Sequence, residues 1–298
     1  MELTKQQLRF FDAFGFLKFP GLFADEIGRI TDGFEQVWAD HGGGPGGSEN
    51  DHQQRSAILP FIDQNEYLSG LIDDPRFVAI GSSLFGDDFN YMSSDGNLYV
   101  ADTNWHSDSC RNVSFKSAMA DPDGHRYGAV KAAFYLDPLT SDSGCLRVIP
   151  GSHRFGDRFA NSLEGLVTES DETLGIHGRD VPSLALETEP GDLLMFDLCT
   201  KHASFGGSSR RRMFTINLQE RFGDDDLPQL QEVIATMAGT RAGTMRFEAE
   251  QAYGETMLRT AGSQRMRHLE QRLANDGLLK ERVKDLREWD AAGGALRG

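Results

Sequence analysis

The residues most clearly suited to metal binding or catalysis are a histidine and an aspartate separated by one position, in the segment Trp105-His106-Ser107-Asp108. Side chains on a β-strand alternate between its two faces, so the imidazole and the carboxylate project to the same side. Both groups could therefore face one metal ion. An isolated His-x-Asp triplet is common by chance, and its histidine is then an ordinary surface or core residue. A third candidate ligand is therefore needed before the triplet can be interpreted as part of a metal site.

His202 is the candidate for that third ligand. It follows the turn 190–192 and the apolar strand 193–196, and a closed double sheet would return it beside the first pair. Two histidines and one carboxylate on one face of an octahedron leave three positions open, which is the arrangement of non-haem Fe(II) oxygenases. A closed structural zinc site would need another histidine or cysteine.

The region that must position these residues, from about 89 to 222, has the pattern of an all-β fold. Short apolar or alternating runs are separated by turn signals at Asp137-Pro138, Pro150-Gly151 and Pro190-Gly191-Asp192, and a jelly roll fits this pattern best. The candidate ligands would then lie on its strands. The predicted strands are 98–100, 129–136, 146–149, 184–187, 193–196 and 213–219.

Helical periodicity flanks this β-region on both sides. Thr4 is the expected N-cap of a helix at about 4–14, followed by a strand at 16–19 and a helix at about 24–40. Helical patterns return at 227–238 and 263–289. We expect one domain over 1–298, with 1–88 and 223–298 packed on the β-core; the C-terminal helices could instead pair two subunits in a homodimer.

Composition limits the partners. Thirty Lys and Arg against 46 Asp and Glu give a net charge of -16, which disfavours nucleic acid and anionic membranes, although acidity can also serve solubility alone. Three cysteines without a CxxC pair argue against a disulfide framework. With no basic-apolar leader and no run of about 18 apolar residues, we expect a cytoplasmic protein.

The segment 41–51, HGGGPGGSEND, is rich in glycine and expensive to order. Two interpretations remain open for it. It is either a lid over an active site or an insertion tolerated at the surface.

Several segments resemble the phytanoyl-CoA dioxygenase family. The similarity covers most of 3–221 and leaves about 223–298 unexplained. It implies a mainly β fold with flanking helices, a cupin-like double-stranded β-helix, and Fe(II) held by His106, Asp108 and His202, with 2-oxoglutarate and O2 as co-reactants. The segments are LTKQQLRFFDAFGFLKFPGLF (3–23), WHSD (105–108), KAAFYLDPLTSDSGCLRVIPGSHRFGD (131–157), PGDLLMFD (190–197) and HASFGGSSRRRMFTINLQER (202–221).

The resemblance also implies an arginine for the distal carboxylate of 2-oxoglutarate. The family pattern aligns best with Arg211, and a guanidinium fork suits a carboxylate because two parallel N–H groups match two oxygens. The spacing along the sequence from His202 to Arg211 is shorter than usual for the family, so Arg210 and Arg212 remain alternatives. Without the family, three consecutive arginines would be interpreted as a solvated basic patch.

Other pocket residues follow from the same resemblance and from strand alternation. Ser204 matches a position that can hydrogen-bond the cosubstrate, and Lys131 and Tyr135 share a strand face that could line the pocket. Residues after the His-x-Asp strand are expected to border the substrate, although basic residues in a loop are usually only solvated. The cations there are Arg111, Lys116 and Arg126.

The implied reaction is oxidation of a small molecule with conversion of 2-oxoglutarate to succinate and CO2. Related halogenases replace the metal-binding carboxylate with a small residue, so Asp108 predicts hydroxylation or a related oxidation, not chlorination. The basic residues favour an anionic or zwitterionic metabolite as substrate. The competing hypotheses are a non-catalytic β-sandwich binding module and a metal-dependent, cupin-like isomerase or hydrolase.

Overall fold

The structure is a computed structural model that describes residues 2–41, 56–99, 101–108, 128–154, 158–163, 165–207, 211–241, 246–247 and 252–279. Several predictions fall outside the described residues. These are the glycine-rich segment from residue 42 onward, the cations Arg111, Lys116 and Arg126, the alternative Arg210, and the end of the predicted helix 263–289.

In the described part of the chain, the strands form two sheets. The major sheet has seven strands in the order β1-β8-β5-β10-β3-β2-β11, and the minor sheet has four in the order β4-β9-β6-β7. The strands are β1 (Phe16–Phe19), β2 (Ser56–Leu59), β3 (Asn90–Tyr99), β4 (Thr103–His106), β5 (Ala129–Tyr135), β6 (Leu146–Val148), β7 (Leu184–Leu186), β8 (Leu193–Asp197), β9 (His202–Ser204), β10 (Arg211–Gln219) and β11 (Arg246–Phe247).

The chain crosses repeatedly between these sheets as it runs from β3 to β10. Strands β3, β5, β8 and β10 lie in the major sheet, and β4, β6, β7 and β9 lie in the minor sheet. Neighbouring strands within this set pair in antiparallel fashion. This is the connectivity of a jelly roll, so the predicted mainly β fold with flanking helices is confirmed.

The first helix begins and ends where its sequence signals predict. The Gln7 N–H donates to Thr4 Oγ1 at 3.2 Å and the Thr4 N–H donates to Gln7 Oε1 at 2.9 Å, a reciprocal capping box. Gly15 ends the helix with φ +81°, where a Cβ would lie 2.4 Å from Nδ1 of His153. The helices are α1 (Lys5–Phe14), α2 (Ile27–Asp40), α3 (Glu66–Ser69), α4 (Pro75–Phe85), α5 (Arg158–Ser162), α6 (Ser170–Thr173), α7 (Leu227–Arg241), α8 (Glu255–Arg259) and α9 (Ser263–Leu273).

The major sheet has an apolar outer face and an inner face on which polar side chains lie among apolar ones. On the outer face, the rings of Phe134 on β5 and Phe214 on β10 stack with centroids 4.6 Å apart, within the main apolar core beside residues of α2 and α4. Because strand side chains alternate, Lys131, Met213 and Thr215 point the opposite way, into the space between the sheets. The core on one face thus fixes which side chains line the interior.

Helix α9 packs against β3 within the chain. His268 is fully buried and stacks on Phe89 with ring centroids 3.9 Å apart, and Asn90 Nδ2 donates to Gln271 Oε1 at 2.8 Å. The helix predicted over 263–289 is therefore confirmed over Ser263–Leu273, but it is interrupted at 274–276, where Asn275-Asp276-Gly277 favours a turn, and helical structure resumes at 277. Among the described helices, none combines the length and apolar character that crossing a membrane requires.

The two described cysteines, Cys145 and Cys199, are in different chemical states. Cys145 is a buried free thiol, and burial raises its pKa to about 11. Cys199, in contrast, is disulfide-bonded. The sequence argued against a disulfide framework but did not predict this bond, because cysteine spacing along the chain does not reveal which thiols the fold brings together.

A buried carboxylate ties the N-terminal part of the chain to the C-terminal part. Asp63 is 1% exposed, and it accepts hydrogen bonds from the Tyr91 hydroxyl at 2.5 Å and from the Gly254 N–H at 2.9 Å. The Tyr253 hydroxyl in turn donates to the Tyr91 carbonyl at 2.5 Å. Asp63 thus connects β3 with the residues that precede α8.

We expect Asp63→Ala to lower the free energy of unfolding by about 2–4 kcal/mol, because it leaves a buried hydroxyl and a buried N–H without their acceptor. Chemical denaturation of the purified variant measures this loss. Asp32→Ala, which removes an exposed carboxylate on α2, is the control and should stay within about 0.5 kcal/mol of the wild type. Equal stability of the two variants would show that the Asp63 contacts contribute nothing.

Candidate metal centre

The three predicted ligands lie together where the minor sheet meets the major sheet. His106 and His202 are directly paired across strands β4 and β9, and their ring centroids are 4.2 Å apart. Asp108 lies two residues beyond His106, where its N–H donates to the Leu198 carbonyl at 2.9 Å. The strand pairing thus brings together residues that lie far apart in the chain.

Their metal-binding atoms are close enough to share one ion. Nε2 of His106 lies 4.0 Å from Oδ1 of Asp108, and Nε2 of His202 lies 3.7 Å from Oδ2. One ligand atom from each of the three side chains lies within 4.8 Å of the other two. Only small side-chain movements are needed for all three to bind the same metal.

The histidines are held in the tautomer that a metal requires. Nδ1 of His106 lies 2.7 Å from the Asn104 carbonyl, and Nδ1 of His202 lies 2.9 Å from the Thr200 carbonyl. A carbonyl only accepts, so each Nδ1 carries the hydrogen and each Nε2 presents a lone pair. Burial, assisted by the neighbouring His106, lowers the pKa of His202 to about 3, which keeps its ring neutral.

Asp108 is held as an anion. Burial raises its pKa, but the nearby Lys131 ammonium outweighs burial and holds the pKa well below its usual range. Nζ of Lys131 lies 2.8 Å from Oδ2. Two neutral imidazoles and one carboxylate fit a divalent iron centre with open coordination positions.

These side chains line a cavity between the two sheets. Its wall includes four residues that the sequence predicted for cosubstrate binding or for the pocket: Lys131, Tyr135, Ser204 and Arg211. The fold thus brings the candidate cosubstrate residues into the same cavity as the candidate metal ligands.

Arg211 is buried in this wall and held from three sides. Its guanidinium donates from Nη1 to Ser204 Oγ at 2.9 Å and to the Gly144 carbonyl, and from Nη2 to the Ala101 carbonyl at 3.0 Å. Only 3% of the residue is exposed. These contacts fix the plane of the guanidinium in the cavity wall, as recognition of a carboxylate by a planar fork requires.

Arg212 occupies a different environment. It contacts Asp137 through Nη2 at 2.6 Å and Glu35 through Nη1 at 2.7 Å, on the helix-covered side of the major sheet. The structure thus places Arg211 in the cavity and Arg212 outside it, since neighbouring strand residues face opposite ways. The alternative assignment of Arg212 to the cosubstrate does not agree with this geometry.

Gly144 and Gly207 leave room for the guanidinium. A Cβ on Gly144, which has φ +90°, would lie 2.6 Å from Nη1 of Arg211, and a Cβ on Gly207 would lie 2.7 Å from Nη2. Such separations are below van der Waals contact, so a side chain at either position would displace Arg211. Both glycines therefore contribute to the position of Arg211.

We expect Gly144→Ala to weaken 2-oxoglutarate binding by about tenfold, equivalent to about 1.4 kcal/mol, while leaving metal affinity unchanged. Calorimetric titration of the Mn²⁺-loaded protein measures both. Gly175→Ala is a matched control, because Gly175 also has positive φ, at +68°, but has no atom within 4 Å of an added Cβ. The same loss in both variants would assign the effect to backbone strain instead of displaced Arg211.

Sequence reasoning missed one charged residue of the cavity wall, Asp95. It is 4% exposed and accepts hydrogen bonds from Thr215 Oγ1 and Asn97 Nδ2, both at 2.5 Å. Asp95 and Thr215 are direct cross-strand partners in β3 and β10. Strand alternation could have identified it. If the strand predicted from Leu98 had been extended toward the N-terminus, Asp95 and Asn97 would have shared its inward face.

The chain also matches a known protein family over most of its length. The family model described as phytanoyl-CoA dioxygenase (PhyH) matches residues 11–214. No curated protein sequence matches the chain significantly.

Solved structures share the fold at low sequence identity. EctD from S. alaskensis in its apoform is 21% identical with a TM-score of 0.53, covering 73% of this chain and 77% of its own. HygX from Streptomyces hygroscopicus, with nickel and 2-oxoglutarate bound, is 17% identical with a TM-score of 0.55, covering 74% and 89%. SnoK, a non-heme alpha-ketoglutarate-dependent carbocyclase from nogalamycin biosynthesis, is 19% identical with a TM-score of 0.54, covering 73% and 84%. At these identities the likeness establishes the double-stranded β-helix fold.

Proposed function

Because the chain belongs to the phytanoyl-CoA dioxygenase family, we propose that this non-haem iron, 2-oxoglutarate-dependent oxygenase hydroxylates a small-molecule metabolite. The observation that carries the proposal is the convergence of His106, Asp108 and His202 at the wall of a cavity that also contains Arg211. The chain therefore offers a candidate metal site and a candidate carboxylate site within one cavity.

The residues have separate roles in this proposal. The two histidines and Asp108 would hold Fe(II), which would supply the oxidising chemistry together with O2, while 2-oxoglutarate would be converted to succinate and CO2. Arg211 binds the distal carboxylate of 2-oxoglutarate, and Ser204, which accepts from Arg211 at 2.9 Å, keeps the guanidinium in place. The sheets exclude water from the cavity and orient the substrate, while the oxidation itself belongs to the cofactor.

Hydroxylation is the outcome favoured by Asp108. A carboxylate at this position fills the coordination site that chloride would need, so chlorination is disfavoured. Neighbours of the same fold include the carbocyclase SnoK and the epimerase SnoN. Ring closure and epimerisation by hydrogen removal are therefore the alternatives to hydroxylation.

We propose that the substrate is an anionic or zwitterionic metabolite. The charged groups of the described cavity wall already have partners in this proposal, since Lys131 contacts Asp108 and Asp95 accepts from Thr215 and Asn97. The preference for a charged substrate therefore comes from the basic residues that the sequence predicted beside the pocket, Arg111, Lys116 and Arg126.

The test measures O2 consumption and succinate formation by purified protein over a panel of zwitterionic and anionic metabolites. We expect both to require Fe(II), 2-oxoglutarate and one class of substrate. Substrate conversion without O2 or 2-oxoglutarate would instead identify a cupin-like isomerase or hydrolase. Binding of a metabolite with neither O2 uptake nor conversion would identify a non-catalytic module.

A further inference from the structure

Lys131 is the inward-facing residue of β5 nearest the metal ligands. Its side chain is 14% exposed, and its Nζ lies 2.8 Å from Oδ2 of Asp108. Its strand places it between Phe196 on β8 and Asn217 on β10. The ammonium therefore contacts a candidate metal ligand, whereas the sequence suggested a contact with the cosubstrate.

We propose that Lys131 is a positioning residue that holds Oδ2 of Asp108, so that the carboxylate offers only Oδ1 to the metal. This inference rests on the proposed function, because it concerns the same metal site. It assigns to Lys131 a role in keeping coordination positions open, beyond lining the cavity.

The number of bound carboxylate oxygens decides how many positions remain. A carboxylate can bind a metal through one oxygen or through both. With two histidines and one oxygen, three of six positions stay open, and a second oxygen would occupy one that 2-oxoglutarate or O2 needs. A cation that occupies Oδ2 prevents this loss.

The surrounding contacts hold the main chain at Asp108, so its side chain is the part that can rotate. The Asp108 N–H donates to the Leu198 carbonyl at 2.9 Å, and Ser107 Oγ donates to the Cys199 carbonyl at 2.9 Å, so the chain is held at the ligand and at the residue before it. Rotation of the carboxyl group then determines which oxygen faces the metal. Lys131 Nζ forms an ion pair with Oδ2 at 2.8 Å, and this attraction favours the rotation that keeps Oδ2 beside the ammonium.

The same contact has an electrostatic consequence. An ammonium beside a ligand carboxylate offsets the negative charge that attracts a divalent cation, and it also repels that cation directly. Lys131 therefore lowers metal affinity while it keeps positions open. This opposition gives a measurable signature that a purely structural lysine would not produce.

We expect Lys131→Met to bind Mn²⁺ about tenfold more tightly than the wild type in calorimetric titration. Lys131→Arg should retain an affinity close to that of the wild type, because it restores the cation. Lys18→Met is the control for loss of one positive charge, since Lys18 pairs with Asp192 at 3.0 Å on β1 and does not line the cavity. Unchanged or weaker Mn²⁺ binding in Lys131→Met would overturn the proposal.

Crystal structures of the Mn²⁺-loaded proteins test the coordination itself. In the wild type we expect Oδ1 alone on the metal, with Lys131 on Oδ2, and in Lys131→Met we expect both oxygens on the metal. A two-oxygen carboxylate in the wild type, or Lys131 turned away from Asp108, would refute the inference. These measurements need no substrate, so a failure here is distinct from a failure to form succinate, which would reject the proposed function alone.

Discussion

Asp108→Ala will lose metal binding and substrate oxidation together. The variant removes the only anionic group of the candidate metal site in the described residues, leaving two neutral imidazoles for a dication. Loss of an outer-shell partner alone costs about 10–100-fold in metal affinity, so loss of a ligand should exceed about 100-fold. Calorimetric titration with Mn²⁺ measures the affinity, and succinate release measures the reaction.

Asp180→Ala is the matched control, because it removes one exposed carboxylate from a segment that does not line the cavity. It should bind Mn²⁺ as the wild type does. If Asp108→Ala retained full activity, Asp108 would not be a metal ligand, and the assignment of hydroxylation over chlorination would also be lost.

Arg211→Met will weaken 2-oxoglutarate binding by about 100-fold without weakening Mn²⁺ binding. A hydrogen bond to a charged group contributes about 1.5–3 kcal/mol, and loss of a two-bond fork therefore costs about 3 kcal/mol or more. The distal carboxylate of 2-oxoglutarate would lose its partner, while the metal ligands stay in place. Titration of the Mn²⁺-loaded variant with 2-oxoglutarate measures this loss.

The neighbouring arginine supplies the control for that experiment. Arg212→Met removes contacts with Asp137 and Glu35 outside the cavity, so it should reduce stability and leave the 2-oxoglutarate affinity unchanged. If the loss of affinity occurred in Arg212→Met and not in Arg211→Met, the cosubstrate would lie on the other face of β10 and the assignment would be wrong.

Local rules of the sequence were sufficient to place much of this site. Strand alternation separated Arg211 from Arg212 once β10 was recognised. It also predicted that His106 and Asp108 share one side, but β4 ends at His106, and Asp108 is placed by the bond from its N–H to the Leu198 carbonyl. Thr4 and Gly15 marked the ends of α1 because capping depends on residues within one turn. These signals are local, so no knowledge of the fold was needed.

Contacts that depend on strand register could not be predicted in the same way. Lys131 meets Asp108 because β5 lies between β8 and β10 in a particular register, and no short-range pattern encodes that order. Asp95 was missed because Ser93-Ser94-Asp95-Gly96-Asn97 has the composition of a turn, whereas the segment is part of β3, and Asp95 and Asn97 face the interior between the two sheets. The link from Asp63 to Gly254 is likewise a long-range contact.

The most direct test of the account is a crystal structure of the protein with Fe(II) and 2-oxoglutarate, prepared without O2. We predict one iron bound by His106, Asp108 and His202, with 2-oxoglutarate in the cavity and its distal carboxylate against Arg211. Iron bound at other residues, or 2-oxoglutarate bound away from this cavity, would contradict the account.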